Sequence, residues 1–336
     1  MVRGATSRIV PVGRPVPQDG RQHADWVRQS IDSAAALGKA GFAASWRRSL
    51  LHHKIDPERA AEETRLSAAE TRQIREASGL LISVAGPVLE RLARVALDAG
   101  CSVLLTDARG LVLEERVRPA DATYFHGAGL APGSDWSEST EGTNGIGTAL
   151  AEARPVVVYR DQHFRSCNIG LTCMGAPIFG AEGELAGVID VSSARADVNE
   201  SFARLVALTV QDAAQRVEAD LFRATFAGAR ILSTGGGEGA PQGVMLLAID
   251  RDDLVIGATR AARRHLGIEA RMIGQTPAGD LLGGGAGPSA GLAEAQRAEM
   301  ARALARCRGN VTAAARDLGI GRATFYRKAH ALGLAL

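Results

Sequence analysis

Four cysteines in 336 residues are too few for a disulfide framework, which points to a reducing compartment. No run of about 18 uninterrupted apolar residues occurs, so no membrane-spanning helix is expected. The opening text, MVRGATSRIVPVGRPVPQDG, lacks the continuous apolar stretch of a secretory signal. A cytoplasmic protein with no membrane partner is therefore expected. Lysine is nearly absent: Lys39, Lys54 and Lys328 stand against 36 arginines, a bias of the kind a GC-rich genome produces. The phosphate loop G-x-x-x-x-G-K-[ST] is missing, so no nucleotide-cradling loop is expected. No nucleophile–base pair or two-carboxylate arrangement stands out, which leaves an enzyme the least supported reading. No cofactor is expected.

What remains is an ordinary globular composition, 46% hydrophobic and 23% charged, which excludes a wholly disordered or collagen-like chain. At roughly 150 residues per domain, the length suggests two or three domains. The net charge of +2 conceals an asymmetry. Residues 293–336 carry eight bases and three acids, net +5, while the rest carries 31 bases and 34 acids, net −3. A basic end on a slightly acidic body predicts a polyanion partner for that end.

Along the chain, residues 1–25 lack periodicity and read as a flexible terminus. From Trp26 to about Gly100 the text reads as helical, with 26–79 as a lead-in, and Pro57 and Pro87 break the region into several helices. One helical stripe follows Leu89, Leu92, Val95, Ala96 and Ala99. At Cys101 the pattern changes to strands: 102–107 and 111–117 form a hairpin around Ala108-Arg109-Gly110. A helix near 146–152 and strands at 156–160, 175–180 and 185–193 follow. A long helix from about 200 to 226, capped by Asn199 or Ser201, carries Phe202, Leu205, Val206, Thr209, Ala213, Val217, Leu221 and Phe226. This order predicts the α+β class, one antiparallel sheet over 80–228 with helices on one face. After a Gly-rich joint at 235–239, the stretch 240–282 reads as a hairpin and short helix. The stretch 283–291 is a linker, and 292–336 an all-α unit.

That last unit has the most specific pattern. Met300, Leu304 and Cys307 share one helix face, which Gly309 ends. Asn310 or Thr312 caps a helix over Ala313–Leu318, whose alanines permit close backbone approach. Gly319-Ile320-Gly321 forms a tight turn with an apolar plug, and a final helix buries Phe325, Ala329 and Leu332. The opposite face shows Ala323, Arg327 and His330, flanked by Thr324 and Tyr326. Short helix, glycine turn and second helix with a basic outer face make a helix-turn-helix suited to a major groove. Candidate DNA contacts are Asn310, Thr312, Arg322, Ala323, Thr324, Tyr326, Arg327, Lys328 and His330. Cys101 and Cys307 read as core.

The segment GNVTAAARDLGIGRATFYRKAHALGL resembles the Fis-type helix-turn-helix that closes many bacterial enhancer-binding activators. Phe325 and Ala329 stand where that family has leucine, and both keep an apolar position. The resemblance implies a homodimer on an inverted-repeat operator in double-stranded DNA, with RNA polymerase as a further partner. WSESTEGTNGIGTALAEARPVVV, His163 and LTCMGAPIFGAEGELAGVIDVSS resemble the GAF sensor domain of the acetoin-regulator group of transcription factors. SWRRSL with Asp56-Pro57 resembles its helical lead-in. Gly145 departs from that group's alanine, and CNIGL replaces an aromatic run. The resemblance implies a small organic effector, with candidate contacts Trp136, Thr143, Asn144, His163, Phe164, Cys173 and Met174.

GTNGIG is not preceded by a hydrophobic strand, so it reads as a pocket-lining loop that caps a helix rather than a dinucleotide fingerprint. His163, Cys167 and Cys173 leave two readings open: a redox or metal- or haem-sensing cluster, or a buried thiol beside a pocket histidine. Relatives of this kind carry an ATPase between sensor and tail. Only about 65 residues separate the two here, too few for an ATPase core. The piece 243–268 looks like the opening of a PAS fold, too short to bury a core alone. It is a remnant, packs on the sensor, or pairs across a dimer. The function expected is a ligand-responsive, DNA-binding transcription regulator without ATPase activity.

Overall fold

A computed structural model describes residues 20–32, 42–59, 65–234, 243–282 and 291–334. They fall into two units, Met1–Gly274 and Gln275–Leu336, each described by itself.

The first unit is organised by β1 (Cys101–Asp107), β2 (Val112–Arg116), β3 (Val156–Tyr159), β4 (Thr172–Phe179) and β5 (Leu185–Ser193). They form one antiparallel sheet in the order β2-β1-β5-β4-β3. The β1–β2 turn closes because Asp107 Oδ1 accepts from the Arg109 and Leu111 amides, at 2.9 and 3.0 Å, while Gly110 adopts φ +93°. Successive strand residues face opposite sides, and both sides are covered. Val103, Leu105, Ile189 and Met174 join a core with two helices, α4 (Gly79–Ala96) and α8 (Glu200–Thr225). Leu104, Val188 and Cys173 join a second core with Trp136 and Ile146. The expectation of helices on one face is thus corrected: α7 (Gly145–Glu152) and its neighbouring loops cover the other.

Other helical expectations also change. Helix α1 (Gly20–Asp32) begins before the expected boundary at 26. Helix α2 (Ala43–Arg47) runs into a π turn over Arg48–His52. Pro87 does not end a helix, because α4 continues through it. One hydrogen bond is lost there, but seven buried side chains along the helix hold it on the core. α3 (Ala68–Ala77) starts at a capping box between Ser67 and Glu70. On α8, Asn199 Oδ1 accepts from the Phe202 amide at 2.9 Å. Yet Phe202 and Leu205 are 39% and 63% exposed, and Val95 on α4 is 73% exposed. Of the expected stripe Ala213, Val217 and Leu221 are buried, joined by Ala203, Val210 and Ala214.

Beyond α8, β6 (Arg230–Ser233), β7 (Leu246–Ile249) and β8 (Val255–Ala258) make a second antiparallel sheet, followed by α9 (Arg260–Leu266). β6 has no counterpart in the sequence reading. Leu246 and Ala248 pack on Ala219 and Phe222 of α8 and on Ala181. The short module thus completes its core by packing on the sensor. The close approach is visible at Gly257, where a Cβ would stand 2.3 Å from the Phe226 ring. The Gly-rich joint at 235–239 lies outside the described residues, as does most of the expected linker and residues 1–19.

The second unit holds one turn, α10 (Ala278–Leu281), then α11 (Leu292–Arg306), α12 (Val311–Asp317) and α13 (Arg322–Ala331). Met300, Ala303, Ala314, Ala315, Phe325 and Ala329 form its core. The α+β class and the all-α carboxy-terminal unit are those expected.

Candidate functional site

The carboxy-terminal unit exposes one chemical face. Arg308 and Gly309, at φ +52° and +81°, end α11 in the left-handed region. Asn310 Oδ1 then accepts from the Thr312 and Ala313 amides at 3.1 Å each, which caps α12. Buried Ala314 and Ala315 let α13 approach, and Gly319 turns the chain at φ +65°. On α13 only Phe325 and Ala329 are buried. Arg322, Ala323, Tyr326, Arg327 and His330 are exposed, Thr324 and Lys328 half-buried. Asn310 and Thr312 are exposed at the head of α12.

Charge is unevenly available on this unit. Arg306 bonds both Glu299 and Asp317, and Arg302 bonds Glu299. These two guanidiniums hold the Glu299 carboxyl below its ordinary range. Lys328 Nζ lies 3.3 Å from Gln296 Oε1, turned toward α11. Among the described residues, Arg308, Arg316, Arg322 and Arg327 have no ion pair, and all four are exposed. Arg322 lies over the Tyr326 ring, 5.6 Å from its centroid, so both arrive at the surface as one amphipathic plate. Sequence reasoning passed over Arg308 and Arg316. Their place beside the α12 cap was the available signal.

The sensor end behaves differently. His163 Nδ1 donates to the Arg160 carbonyl at 2.9 Å, which fixes the tautomer and leaves Nε2 as acceptor. The Cys173 thiol lies 3.3 Å from that nitrogen and 3.1 Å from Ser192 Oγ. Ser192 Oγ in turn donates to Asp190 Oδ2 at 2.6 Å. All four residues are buried. Burial lowers the His163 pKa to about 4 and raises Asp190 to about 6. The Cys173 thiol is pushed well up by burial and by Asp190. Asp190 Oδ1 is buried without a hydrogen-bond partner among the described residues. This is a closed polar cluster inside the fold, and its thiol is protonated and shielded. His163, Cys167 and Cys173 do not assemble a metal site: among the described residues no three His, Cys, Asp or Glu side chains do. Cys167 Sγ lies 3.6 Å from Asn168 Oδ1.

The other candidate effector residues are framework. Trp136 donates to the Gly129 carbonyl at 2.8 Å from within the core. Asn144 Oδ1 accepts from the Ile146 and Gly147 amides, both at 2.8 Å, so GTNGIG does cap a helix. Asn144 Nδ2 donates to the Gly142 and Trp136 carbonyls. Phe164 packs with Trp46, Val27 and Ile31 of the lead-in. Met174 lies on the opposite face of the sheet from Cys173, a correction that follows from strand alternation. Thr143 alone among the seven reaches the wall of a groove on the sensor.

That groove, of about 450 Å³, runs between the lead-in, the edge strand β3 and the first turns of α8, with Phe42, Thr148, Tyr159, Gln162 and Arg204 in its walls. Behind that wall, buried Ser45 Oγ lies 2.7 Å from Thr143 Oγ1 and 3.3 Å from Thr148 Oγ1, which ties both groove hydroxyls to the lead-in. The lead-in is strapped on by charge and by an indole. Arg48 forks onto both oxygens of buried Glu138, at 2.7 and 2.9 Å, and reaches Glu152 at 3.3 Å. The Trp46 indole donates to the Gln162 carbonyl at 2.8 Å. Neither Ser45 nor Arg48 was among the sequence candidates, because each acts through a partner about 90 or more positions away.

Residues 22–218, more than half of the chain, match the family model described as MimR, N-terminal domain. The chain belongs to the MimR N-terminal domain family. In this MimR-family chain, residues 291–330 match a second model, Bacterial regulatory protein, Fis family, so α12 and α13 are the two helices of a Fis-type helix-turn-helix. The acetoin catabolism regulatory protein of Cupriavidus necator is 30% identical over 244 residues, covering 71% of this chain and 36% of that protein. The propane 2-monooxygenase operon transcriptional activator MimR of Mycolicibacterium smegmatis is 40% identical over 117 residues, 33% of this chain and 20% of that protein. The MimR-family chain thus matches between a fifth and little more than a third of the length of these relatives. The solved DhaR(N)–DhaL complex of E. coli aligns over 68% of this chain and 76% of that chain, at 16% identity and a TM-score of 0.49. Among the described residues, no helix is long and apolar enough to cross a membrane.

Proposed function

We propose that this chain is a ligand-responsive transcription regulator of the cytoplasm, without enzyme activity. In this reading residues 26–79 are a lead-in and 80–228 a GAF sensor. Residues 240–282 are a PAS-like module and 292–336 the DNA reader. The observation that carries it is the division of α13: Phe325 and Ala329 inward, Arg322, Tyr326, Arg327 and His330 outward. That division suits a helix lying in a major groove, where Arg327 donates to a base edge and Asn310 and Thr312 hold phosphates. One such helix makes too few phosphate contacts for tight binding, so two copies act on an inverted repeat. RNA polymerase is the further partner, reached without an ATPase step.

The effector, a small organic molecule, enters the groove that begins at Thr143 rather than the closed cluster around His163. Binding there favours one packing of α8 against β3 and the lead-in, and so biases the geometry of the dimer. Such a shift requires unequal effector affinity in the two states. The names of the relatives, an acetoin catabolism regulatory protein and a propane 2-monooxygenase operon transcriptional activator, support the regulator class. They leave the effector of this chain to be identified.

Fluorescence anisotropy of the full chain on genomic fragments, at fixed ionic strength, tests the reading. A fragment bound at least a hundredfold more tightly than random duplex is expected. Attraction to every duplex no stronger than that of an unrelated neutral protein would sink it.

A further inference from the structure

A second cleft lies where the small sheet module meets the sensor, next to the groove that holds Thr143. Its walls come from the end of β4 (Pro177, Phe179), from α8 (Ala214, Glu218) and from α9 (Arg260, Arg264). Arg260 and Arg264 are four residues apart on one helix and so share a face. Like charges at that spacing repel, and among the described residues neither has an ion-pair partner. The Arg260 Cζ lies over the Phe179 ring, 3.9 Å from its centroid, with one nitrogen 3.4 Å from the Ala153 carbonyl. That contact fixes its planar fork in place. Glu218 is buried in the floor but does not form an ion pair with Arg260. Burial pushes its carboxyl up to about 7 against the pull of Arg260 and the Phe179 amide. A carboxyl that keeps its proton can donate a hydrogen bond to an anion instead of repelling it.

The rest of the lining sets the apolar Ala176, Pro177 and Ala214 beside Gln211, Gln215 and Arg154, and Arg154 is already paired with Glu152. The volume is about 200 Å³, below the roughly 300–1,000 Å³ of pockets for drug-sized ligands. Two unpaired guanidiniums on one rim, a protonatable floor and a short apolar wall are complementary to a small anion with a hydrocarbon body. We propose that this cleft binds a small organic carboxylate, its charge held by Arg260 and Arg264 and its body against Pro177 and Ala214. Since it is formed jointly by α8, β4 and α9, its occupant ties the small module to the sensor. The site adjoins the groove at Thr143, sharing Arg154, Pro155 and Gln211 with it, and gives the 240–282 module a role beyond spacing.

Isothermal titration of the full chain with butyrate, benzoate and inorganic phosphate, each alone, provides the test. Butyrate or benzoate is expected to bind saturably at one per chain. Arg264→Gln, a change at an exposed position, should weaken that binding at least tenfold with no change in melting temperature. Arg260→Lys keeps the charge, loses the fork, and should weaken it severalfold. Three results would each overturn the proposal: no heat from either carboxylate, binding of phosphate alone, or carboxylate affinity undiminished in Arg264→Gln.

Discussion

The polar residues of the sensor and those of the reading helix are equally conspicuous in the sequence, and the fold uses them in opposite ways. Around His163 they turn inward, satisfy one another, and leave a single orphan oxygen on Asp190. On α13 they turn outward and, Lys328 apart, remain available. A motif residue is therefore a contact residue only where the surrounding apolar stripe pushes it into solvent. On a 10-residue helix with two buried positions that is readable from spacing. In a sheet buried on both faces it is not.

Four changes probe this contrast, from the largest expected effect down. Phe325→Ala removes the central side chain of the carboxy-terminal core. It should cost about 3–5 kcal/mol of that unit's stability and abolish DNA binding, with the calorimetric transition of the sensor unmoved. A single shifted transition for the whole chain would show the contrast to be false.

Asp190→Asn tests the closed cluster. The carboxyl is raised from 3.8 to about 6 in the folded chain, so it ionises more readily unfolded. The native chain should lose stability as pH rises from about 4 to about 6. His163, lowered from 6.5 to about 4, works the other way and removes stability as pH falls through that window. Asp190→Asn should therefore stabilise the chain by on the order of 1–3 kcal/mol at pH 8 and by almost nothing at pH 3. Urea melts at the two values would read this, and equal effects at both would refute it.

Arg327→Ala should weaken operator binding by about 1–3 kcal/mol and relax preference at one base pair. Unchanged affinity would mean the final helix is oriented wrongly. Arg306→Ala, which breaks only exposed pairs with Glu299 and Asp317, should cost less than about 1 kcal/mol. Any larger loss in thermal melting would make that pairing part of the unit's framework.

Much of the architecture was legible because strands and turns here are punctuated. Ala108-Arg109-Gly110 marked the first hairpin, and the apolar spacing of 300–332 marked three helices. What escaped depends on distant partners. β6 is four residues, two of them polar, and is a strand only because β7 pairs with it. Pro87 looked like a break because local geometry says nothing of the core that holds α4 together. Phe202 and Leu205 matched a helical period, yet the sheet meets α8 one position along, at Ala203. At the sensor site, the motif GTNGIG was correctly read as a cap. Its second glycine also has a reason that only the structure supplies. A Cβ on Gly145 would run into Asp190 Oδ1 and stand 2.6 Å from Cys173 Cβ, so alanine has no room at this position. The hydroxyls of Ser45, Thr143 and Thr148 converge from positions far apart in the chain, and no local pattern announces them.

The aromatic ring of Phe226 rests where Gly257 has no side chain, and Phe222 lies among Leu246 and Ala248 one turn earlier. Two interlocking points on successive turns act as a key in its slot. The small sheet cannot slip along the end of α8 or swivel about it without ejecting a ring, so a twist of that helix would carry the whole sheet around with it.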